Sequence, residues 1–197
     1  MTAAPAPFAT LPAGTFRTIL ADPPWQFRTY SANGLRKSPQ RHYGCMDLDA
    51  IQALPVASLA AADCALVMWA TSPMLPQALA TLDAWGFTYK GTGAWAKRST
   101  ADRTWAFGTG YTMRSAAEFY ILGTRGAPAR VSRSVRNLVV APVREHSRKP
   151  DELRRDIEAL YAGPYLELFA REAAPGWTSW GNQVGRFAPV PDKLAAD

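Results

Sequence analysis

Short apolar runs and amphipathic segments alternate along this chain, and the alternation predicts an α/β fold. Apolar runs rich in β-branched or aromatic residues are typical of buried strands, whereas apolar residues spaced three and four positions apart are typical of helices. Strands that alternate with helices usually build a mainly parallel sheet. The pattern predicts strands at 17–21, 65–70, 87–96, 117–122, 138–141, 165–170 and 177–180, and helices at 47–54, 73–85 and from Pro150 onward.

The length of 197 residues and the apolar content of 48% suit one domain with a buried core. We expect this domain to span residues 15–187, between a flexible N-terminal tail at 1–14 and a C-terminal tail at 188–197. Since no apolar run is long enough to span a bilayer and none at the start looks like a signal peptide, a cytoplasmic protein is expected. Cys45 and Cys64 form no CxxC motif and join no His/Cys cluster, which favours reduced thiols over a disulfide or a metal site.

The tetrapeptide Asp22-Pro23-Pro24-Trp25 directly follows the first predicted strand. Two prolines cannot continue a strand ladder, so the strand ends there and its end is rigid. Ligands of parallel α/β sheets bind beyond the carboxyl ends of the strands, which makes this motif the first place to look for chemistry. An Asp-Pro-Pro turn can also be purely structural, but its position after a buried strand and before an aromatic residue favours a functional role.

These residue types suit methylation of an exocyclic amine such as N6 of adenine. That amine is a weak nucleophile because its lone pair is delocalised into the ring. The Asp22 carboxylate can accept one amine hydrogen, and the carbonyl held between the two prolines can accept the other, which would aim the lone pair at a methyl donor. The Trp25 ring can stack on the base, a contact worth about 1–3 kcal/mol. With a sulfonium as donor, the reaction requires no metal.

The net charge of +6 and the sequence pI near 9.6 suit an anionic partner. Basic and aromatic residues are interleaved in two long loops, at 26–44 and 97–115, which suits phosphate contacts together with base stacking. The residues predicted to bind nucleic acid are Arg28, Tyr30, Arg36, Lys37, Arg41 and Tyr43 in the first loop, and Lys97, Arg98, Arg103 and Arg114 in the second. The alternative is two solvated loops with some aromatic packing.

Several ordered sequence blocks resemble one family of enzymes. Over roughly residues 15–187 the chain is similar to the N6-adenine methyltransferases named after the seventy-kilodalton subunit of the eukaryotic messenger-RNA adenosine methyltransferase, a family with bacterial and phage members. Several blocks at compatible spacing are a more specific signal than any single block. The matching blocks are Ile19–Trp25, Tyr43–Met46, Val67–Thr71, Trp95–Lys97, Gly108–Tyr111 with Arg114 and Glu118, Arg144–Glu152, Leu166–Arg171, and Gly176-Trp177 with Trp180–Asn182.

The resemblance implies a Rossmann-like fold of the S-adenosylmethionine-dependent methyltransferases in a permuted motif order, with the catalytic motif N-terminal and the cofactor strand C-terminal. It implies that the target base lies at the catalytic residues Asp22, Pro23, Pro24 and Trp25. It implies cofactor contacts for Asp22, for Lys149 near the carboxylate, for Glu167 and Arg171 near the ribose, and for Asn182 and Gln183 along the adenosine end.

Some of these positions also have structural interpretations. Lys149 could be a solvated charge before a helix, Glu167 an edge residue, and Asn182 an ordinary turn residue. The chain departs from the family in two places. Eukaryotic members carry a His-Asn pair shortly after the arginine, where this chain has Ala173 and Ala174, so those contacts to the cofactor are absent. The segment before the first strand is also short and Ala-rich, where relatives place an acid near the cofactor adenine.

The leading hypothesis is adenine-N6 methylation of DNA, because the chain is compact, carries no RNA-binding appendage and is similar to bacterial and phage members. The same chemistry on RNA is the first alternative. A methyltransferase for glutamine side chains of proteins is the second, but those enzymes use Asn-Pro-Pro-Tyr and place the cofactor motif first. An inactive nucleic-acid-binding relative is the third, although such relatives usually lose the Asp or the prolines. We expect a monomer or homodimer, with an auxiliary subunit left open, and no membrane partner.

Overall fold

The computed structural model describes residues 3–26, 46–108, 110, 112–145 and 147–187, which form seven strands and three α-helices. The strands are β1 (Phe16–Ala21), β2 (Ala60–Ala70), β3 (Thr88–Arg98), β4 (Ala117–Arg125), β5 (Leu138–Pro142), β6 (Tyr165–Leu168) and β7 (Trp177–Trp180). The helices are α1 (Leu48–Gln52), α2 (Leu75–Ala84) and α3 (Asp151–Leu160), and 3₁₀ turns occupy Val56–Ser58 and Ser72–Met74. Among these described helices, none is long and apolar enough to cross a membrane.

The seven described strands form one sheet in the order β5-β3-β4-β2-β1-β6-β7. β1 pairs in parallel with β2 and β6, β6 pairs in parallel with β7, and β3 pairs in parallel with β5. Among these strands, β4 alone runs antiparallel to its neighbours, β2 and β3. The other six strands therefore point the same way, which confirms the predicted α/β class and the mainly parallel sheet.

The strand directions bring six carboxyl ends and the amino end of β4 to one edge of the sheet. In the register of the central strands, Ala21 of β1 is level with Met68 of β2 and with Leu168 of β6. On the other side of β2, Ala70 pairs with Phe119 of β4. Because ligands of such sheets bind beyond the carboxyl ends of the strands, the residues just past these positions define the candidate site.

Apolar side chains on the two faces of the sheet build two buried clusters. One face packs against α1 and α2 and contains the fully buried Ile19 and Leu66. The other face packs against α3 and contains Leu20 together with Leu153 and Ile157 of that helix. Adjacent residues of β1 belong to opposite clusters, as the alternation of side chains along a strand requires. Since both faces are covered there, the last three residues of β1, Ile19–Ala21, form an uninterrupted apolar run.

The segment at 3–14 packs against the core, which differs from the flexible tail expected from its composition. Phe8 is fully buried, and its ring meets Trp180 edge-on with the ring centroids 4.8 Å apart. Leu11 is also buried. Burial of one such side chain contributes about 1.5–3 kcal/mol, so these two anchor a segment in which the sequence shows no hydrophobic periodicity.

Two predicted element ends shift in the structure. The strand predicted at 165–170 ends at Leu168, because Phe169 adopts a left-handed backbone with a φ of 61°. This conformation is uncommon for a residue with a bulky side chain, and it turns the chain at the edge that carries the candidate site. The helix predicted from Pro73 begins at Leu75, because the residues before it form a 3₁₀ turn.

Candidate active site

Asp22 stands directly after β1, between the ends of β2 and β6. Its backbone N–H donates a hydrogen bond of 3.3 Å to the carbonyl of Leu168, which ties the motif to the end of β6. The carbonyl of Pro23, held between the two prolines, accepts a hydrogen bond of 2.8 Å from the backbone N–H of Trp25. A carbonyl oxygen has two lone pairs, so this bond leaves one for a further donor.

The side chain of Trp25 packs in the core and fixes the motif to β2. It is 5% exposed, and its indole Nε1–H donates a hydrogen bond of 3.0 Å to the carbonyl of Trp69. A buried indole N–H needs such a partner, so the bond holds the ring in one place. Stacking of this ring on a target base stays a prediction, and the structure adds a core role for the same residue.

Five of the described ionisable side chains meet across the edge of the sheet from β3 to β1. The Nζ atom of Lys149 lies 3.0 Å from Oδ2 of Asp22 and 2.9 Å from Oε1 of Glu118. The Oε2 atom of Glu118 lies 2.9 Å from Nζ of Lys97 at the end of β3. Arg171 completes the cluster, with its Nη2 atom 3.8 Å from Oδ2 of Asp22. Counted over the described residues of this cluster, three cations and two carboxylates leave one positive charge in excess, which suits a ligand that brings a carboxylate.

Burial and ion pairing together set the protonation of this cluster. Burial acts to lower the pKa of Lys149, but the carboxylates of Asp22 and Glu118 outweigh it and hold that pKa above its usual value. Burial likewise acts to raise the pKa of Glu118, but Lys149 and Lys97 outweigh it and lower that pKa to about 2. Lys149 and Glu118 therefore stay ionised at neutral pH. The Lys149 ammonium also lies 5.3 Å from the ring centroid of Trp69, a cation–π contact.

A second ion cluster lies behind the end of β6 and is centred on Arg154 of α3. Its Nε atom donates to Oε2 of Glu167 at 2.9 Å, and its Nη2 atom donates to Oε1 of Glu172 at 2.8 Å. Its Nη1 atom donates to Oδ1 of Asp151 at 2.9 Å. Arg154, Glu167 and Glu172 are all buried. Burial raises the pKa of Glu167 above its usual value, although the charge of Arg154 opposes this shift.

The other residues with predicted cofactor contacts lie toward the β6 and β7 end of the same edge. Glu167 is the penultimate residue of β6, and Arg171 follows that strand. Asn182 is exposed in the turn after β7, and Oε1 of Gln183 accepts a hydrogen bond of 3.2 Å from Arg186. The structure thus brings a carboxylate, a guanidinium and two amides to one end of the edge. Which cofactor atoms they contact stays a prediction.

Gly181 allows the turn after β7 to lie against the chain that leaves β6. A Cβ atom at this position would lie 2.6 Å from the carbonyl oxygen and 2.8 Å from the nitrogen of Ala170. The backbone N–H of Ala170 also donates a hydrogen bond of 3.0 Å to the carbonyl of Trp180. Only a residue without a side chain permits so close an approach, so Gly181 fixes the shape of this end of the site.

The first of the two predicted nucleic-acid loops lies outside the described residues. The predictions for Arg28, Tyr30, Arg36, Lys37, Arg41 and Tyr43 therefore stay predictions. In the second loop, Lys97 belongs to the ion cluster at the sheet edge and forms an ion pair with Glu118. Arg98 pairs with Asp102 at 2.9 Å and lies over the ring of Trp105, 4.8 Å from the centroid.

Arg103 and Arg114 of the second loop are exposed. The guanidinium of Arg114 lies 5.2 Å from the ring centroid of Phe107. Trp105 and Phe107 are 56% and 62% exposed, which is unusual for large aromatic side chains. The loop thus presents basic and aromatic groups side by side to solvent, the combination that suits a nucleic-acid strand.

The sequence-based predictions assign no role to Glu118, Arg154 or Glu172. Glu118 belongs to one of the matching blocks, and an acid at the start of an apolar strand was the available signal. Arg154 follows the buried Leu153 of α3, and its position beside the apolar stripe of the helix is a weaker indication of a buried charge than the position of Glu118 in its strand. Nothing in the sequence marks Glu172, which is 3% exposed, as a buried acid.

Comparison with known proteins identifies the family. Residues 16–183 match the MT-A70 family, and the chain belongs to it. The chain is 32% identical over 188 residues to an N(6)-adenosine-methyltransferase MT-A70-like protein of Arabidopsis thaliana, which covers 93% of this chain and 26% of the relative. It is 29% identical over 196 residues to the type II methyltransferase M.MunI of Mycoplasma sp, which covers 90% of this chain and 81% of that protein.

A human relative, the N(6)-adenine-specific methyltransferase METTL4, is 29% identical over 201 residues, which cover 93% of this chain and 40% of the relative. The chain therefore spans about a quarter of the Arabidopsis relative and most of the length of M.MunI. The observed α/β sheet agrees with the methyltransferase fold expected for the family.

The residues at the sheet edge fit S-adenosylmethionine, the cofactor that the family implies. The cofactor carries a carboxylate, which the excess positive charge of the Asp22 and Lys149 cluster can attract. It also carries a ribose diol, and an ionised carboxylate such as Glu167 accepts hydrogen bonds from hydroxyl groups. The hydroxyl of Thr71, just past β2, is buried and has no hydrogen-bond partner among the described residues. The edge thus retains an unsatisfied polar group that a ligand could bond.

Proposed function

We propose that this chain transfers a methyl group from S-adenosylmethionine to the N6 amine of adenine in a nucleic acid. The observation that carries the proposal is the placement of Asp22. Its carboxylate stands past the end of a central strand, directly before two prolines, and is held by Lys149 at 3.0 Å. The names of the Arabidopsis and human relatives, which specify N(6)-adenosine and N(6)-adenine, support N6 as the acceptor atom.

Asp22 and Pro23 would hold the target amine. Among the described residues, the ion pairs of Asp22 engage Oδ2, which leaves Oδ1 to accept one amine hydrogen. The remaining lone pair of the Pro23 carbonyl accepts the other. Such fixed hydrogen bonds at the reacting atom are worth about 10²–10³ in rate. The proton that the methylated amine loses passes to Asp22 or to water.

The cofactor would lie along the edge from the Asp22 cluster toward β7. Lys149 would contact its carboxylate, Glu167 and Arg171 its ribose, and Asn182 and Gln183 its adenosine end. When bound, the cofactor supplies an electrophilic sulfonium methyl group. The ion cluster keeps Lys149 charged, and the tight turn at Gly181 shapes the adenosine end.

DNA is the favoured polymer. The chain covers 81% of M.MunI, which is a type II methyltransferase, and this similarity favours DNA. RNA is the second candidate, because the Arabidopsis relative is named for adenosine, the ribonucleoside. The exposed basic and aromatic residues of the loop after β3 suit either polymer.

Transfer of labelled methyl from S-adenosylmethionine to mixed-sequence DNA and RNA, followed by digestion to nucleosides, tests the proposal. Label in N6-methyldeoxyadenosine would establish DNA as a substrate. Label in N6-methyladenosine would make RNA the substrate instead. Label in neither product, with measurable cofactor binding, would contradict adenine-N6 transfer by this chain acting alone.

Asp22→Ala tests the assignment of the catalytic carboxylate. We expect transfer to fall by about 10²-fold or more, while the circular dichroism spectrum and the unfolding midpoint show that the variant is folded. Asp83→Ala, at an exposed position of α2, is the control and should leave the rate unchanged. Equal rates for wild type and Asp22→Ala would reject the mechanism.

A further inference from the structure

Arg154 connects α3 to the end of β6 and to the chain that follows it. Its three nitrogens donate to Glu167, to Glu172 and to Asp151. A buried guanidinium is tolerated only where carboxylates satisfy its charge and its donors, so these partners fix its position. Because the guanidinium is planar and rigid, it fixes the three carboxylates relative to one another in return.

The three carboxylates differ in what else holds them. Asp151 also accepts a hydrogen bond of 2.9 Å from Arg144, and Glu172 also accepts one of 3.0 Å from Arg148. For Glu167, the described residues provide one ion pair, the one to the guanidinium of α3. The position and charge of Glu167 therefore depend on that guanidinium more than those of the other two carboxylates do.

Glu167 lies where a ligand at the catalytic edge can reach it. It is level with Leu20 of β1, two residues before Asp22, and it is one residue from the end of β6. Burial disfavours its charged form and raises its pKa. A protonated carboxyl has lost acceptor capacity, whereas the two hydroxyls of a ribose each have a hydrogen to donate. A contact in which both ribose hydroxyls donate to Glu167 is therefore strongest when this buried carboxylate stays ionised.

We propose that Arg154 is a positioning residue for the cofactor, which keeps Glu167 ionised and aimed so that its carboxylate accepts the ribose hydroxyls. This inference rests on the proposed function and deepens it, since the ribose contact of Glu167 is part of that function. It also gives a role to a departure of this chain from its family. Ala173 and Ala174 stand in place of the His-Asn pair, and the preceding Glu172 is bound by the same guanidinium.

The test measures how much the ribose hydroxyls contribute to affinity. Isothermal titration calorimetry gives the Kd of S-adenosylhomocysteine and the Kd of an analogue that lacks both ribose hydroxyls. In the wild type we expect the analogue to bind roughly 10- to 100-fold more weakly, which is the usual effect of a hydrogen bond to a charged group. The ratio of the two Kd values isolates the hydroxyl contact from the rest of the binding energy.

Arg154→Met removes the charge and all donors while keeping most of the side-chain length. In this variant the Kd ratio should shrink to about threefold or less, because Glu167 no longer presents an ionised, aligned carboxylate. Arg154→Lys retains the charge without the planar fork and should give an intermediate ratio. Arg155→Met is the matched control, because Arg155 is exposed on the same helix and pairs with Glu152 at 3.0 Å. It should keep the wild-type ratio.

The possible outcomes separate this inference from the proposed function. If the role of Arg154 is purely structural, Arg154→Met should have a lower unfolding midpoint and should bind both ligands more weakly by the same factor. The Kd ratio would then stay at the wild-type value, and this result would overturn the inference but not the proposed function. If Arg154→Met does not fold, the ratio in Arg154→Lys decides in the same way. A wild-type protein that binds no S-adenosylhomocysteine would contradict the proposed function and remove the basis of the inference as well.

Discussion

The ammonium of Lys149 lies 3.0 Å from Oδ2 of Asp22, although 127 positions separate the two residues in the chain. The contact joins the catalytic motif after β1 to the segment before α3. Lys149 also pairs with Glu118, so two carboxylates that would otherwise repel each other share one cation. This geometry makes Lys149 the centre of an ion cluster at the catalytic carboxylate, in addition to any contact that it makes with a cofactor.

The Glu118 pairing predicts a loss of stability in acid. The pKa of Glu118 is about 2 in the folded protein, against 4.5 for the free side chain. A carboxyl group whose pKa is lowered by folding stabilises the folded protein at pH values above its pKa in the unfolded chain. This stabilisation is lost as the pH falls through the pKa of the group in the folded protein. We expect the Glu118 contribution, roughly 3 kcal/mol of the free energy of unfolding, to be lost between about pH 5 and pH 2. Urea unfolding at intervals of half a pH unit measures it.

Other carboxylates also titrate in this range, so Glu118→Gln is needed to isolate the effect. The variant should be less stable than the wild type at pH 5, because Lys149 and Lys97 lose their shared partner. The difference between the two proteins should then narrow as pH falls toward 2. If the curves of unfolding free energy against pH were parallel, with a constant difference between the two proteins, the lysine partners would not lower the pKa of Glu118.

Much of the fold could be predicted because local signals coincide with the ends of its elements. The last strand, Trp177–Trp180, has its predicted bounds, and β1 ends at Ala21, directly before the catalytic motif. β2 begins at Ala60, five residues before the predicted start, because its first residues are alanines and an aspartate that carry no strand signal. The burial of Phe8 could not be predicted, since it depends on the position of Trp180 at the far end of the chain.

The candidate site could be predicted only in part. Asp22 was recognisable because its motif combines a strand end, two prolines and an aromatic residue in adjacent positions. The pairing of Glu118 with Lys97 depends on the antiparallel register of β3 and β4, which sets Trp95 opposite Glu118. Register of this kind follows from the packing of the whole sheet, so no local pattern reveals it. The same holds for the pairing of Arg154 with Glu167 and Glu172, which lie in and after β6, whereas its third partner, Asp151, is three positions earlier in the same helix.

The hydrogen bond from Trp25 to Trp69 predicts distinct effects for two substitutions. Trp25→Phe keeps a buried aromatic ring but leaves the carbonyl of Trp69 without this donor, so we expect a loss of about 1–3 kcal/mol in the free energy of unfolding. Methyl transfer should persist if a planar ring suffices at the target base. Trp25→Ala should lose both stability and transfer. Trp105→Phe, at a 56% exposed position, is the stability control and should change unfolding by about 0.5 kcal/mol or less.

The close approach at Gly181 predicts that even one methyl group there disturbs the site. In Gly181→Ala the new Cβ would meet the Ala170 backbone at 2.6 Å, which forces the turn away from the end of β6. We expect a stability loss of about 1–3 kcal/mol and weaker binding of S-adenosylhomocysteine, measured by urea unfolding and calorimetry. Gly185→Ala is the matched control, because a Cβ there would meet nothing within 4 Å. Equal affinities for both variants would remove Gly181 from the proposed cofactor site.

The exposed arginines of the loop after β3 predict a salt-dependent contact with nucleic acid. Each arginine that neutralises a phosphate releases counterions, so its removal should lower the slope of log Kd against log salt by about 0.9 on duplex DNA. We expect this change for Arg103→Ala and for Arg114→Ala, with affinity reduced about equally for all base sequences. Fluorescence anisotropy with a labelled oligonucleotide, between about 50 and 200 mM salt, measures it.

Arg98 and Arg133 provide two controls for this experiment. Arg98 already pairs with Asp102 at 2.9 Å, so its replacement should change the slope less than replacement of Arg103 does. Arg133 is exposed in the connection between β4 and β5, and Arg133→Ala should leave the slope unchanged if the strand follows the catalytic edge. If Arg133→Ala lowers the slope and the two loop variants do not, the nucleic acid lies along the β4–β5 connection. The loop after β3 would then be a solvated segment whose aromatic side chains pack against its own arginines.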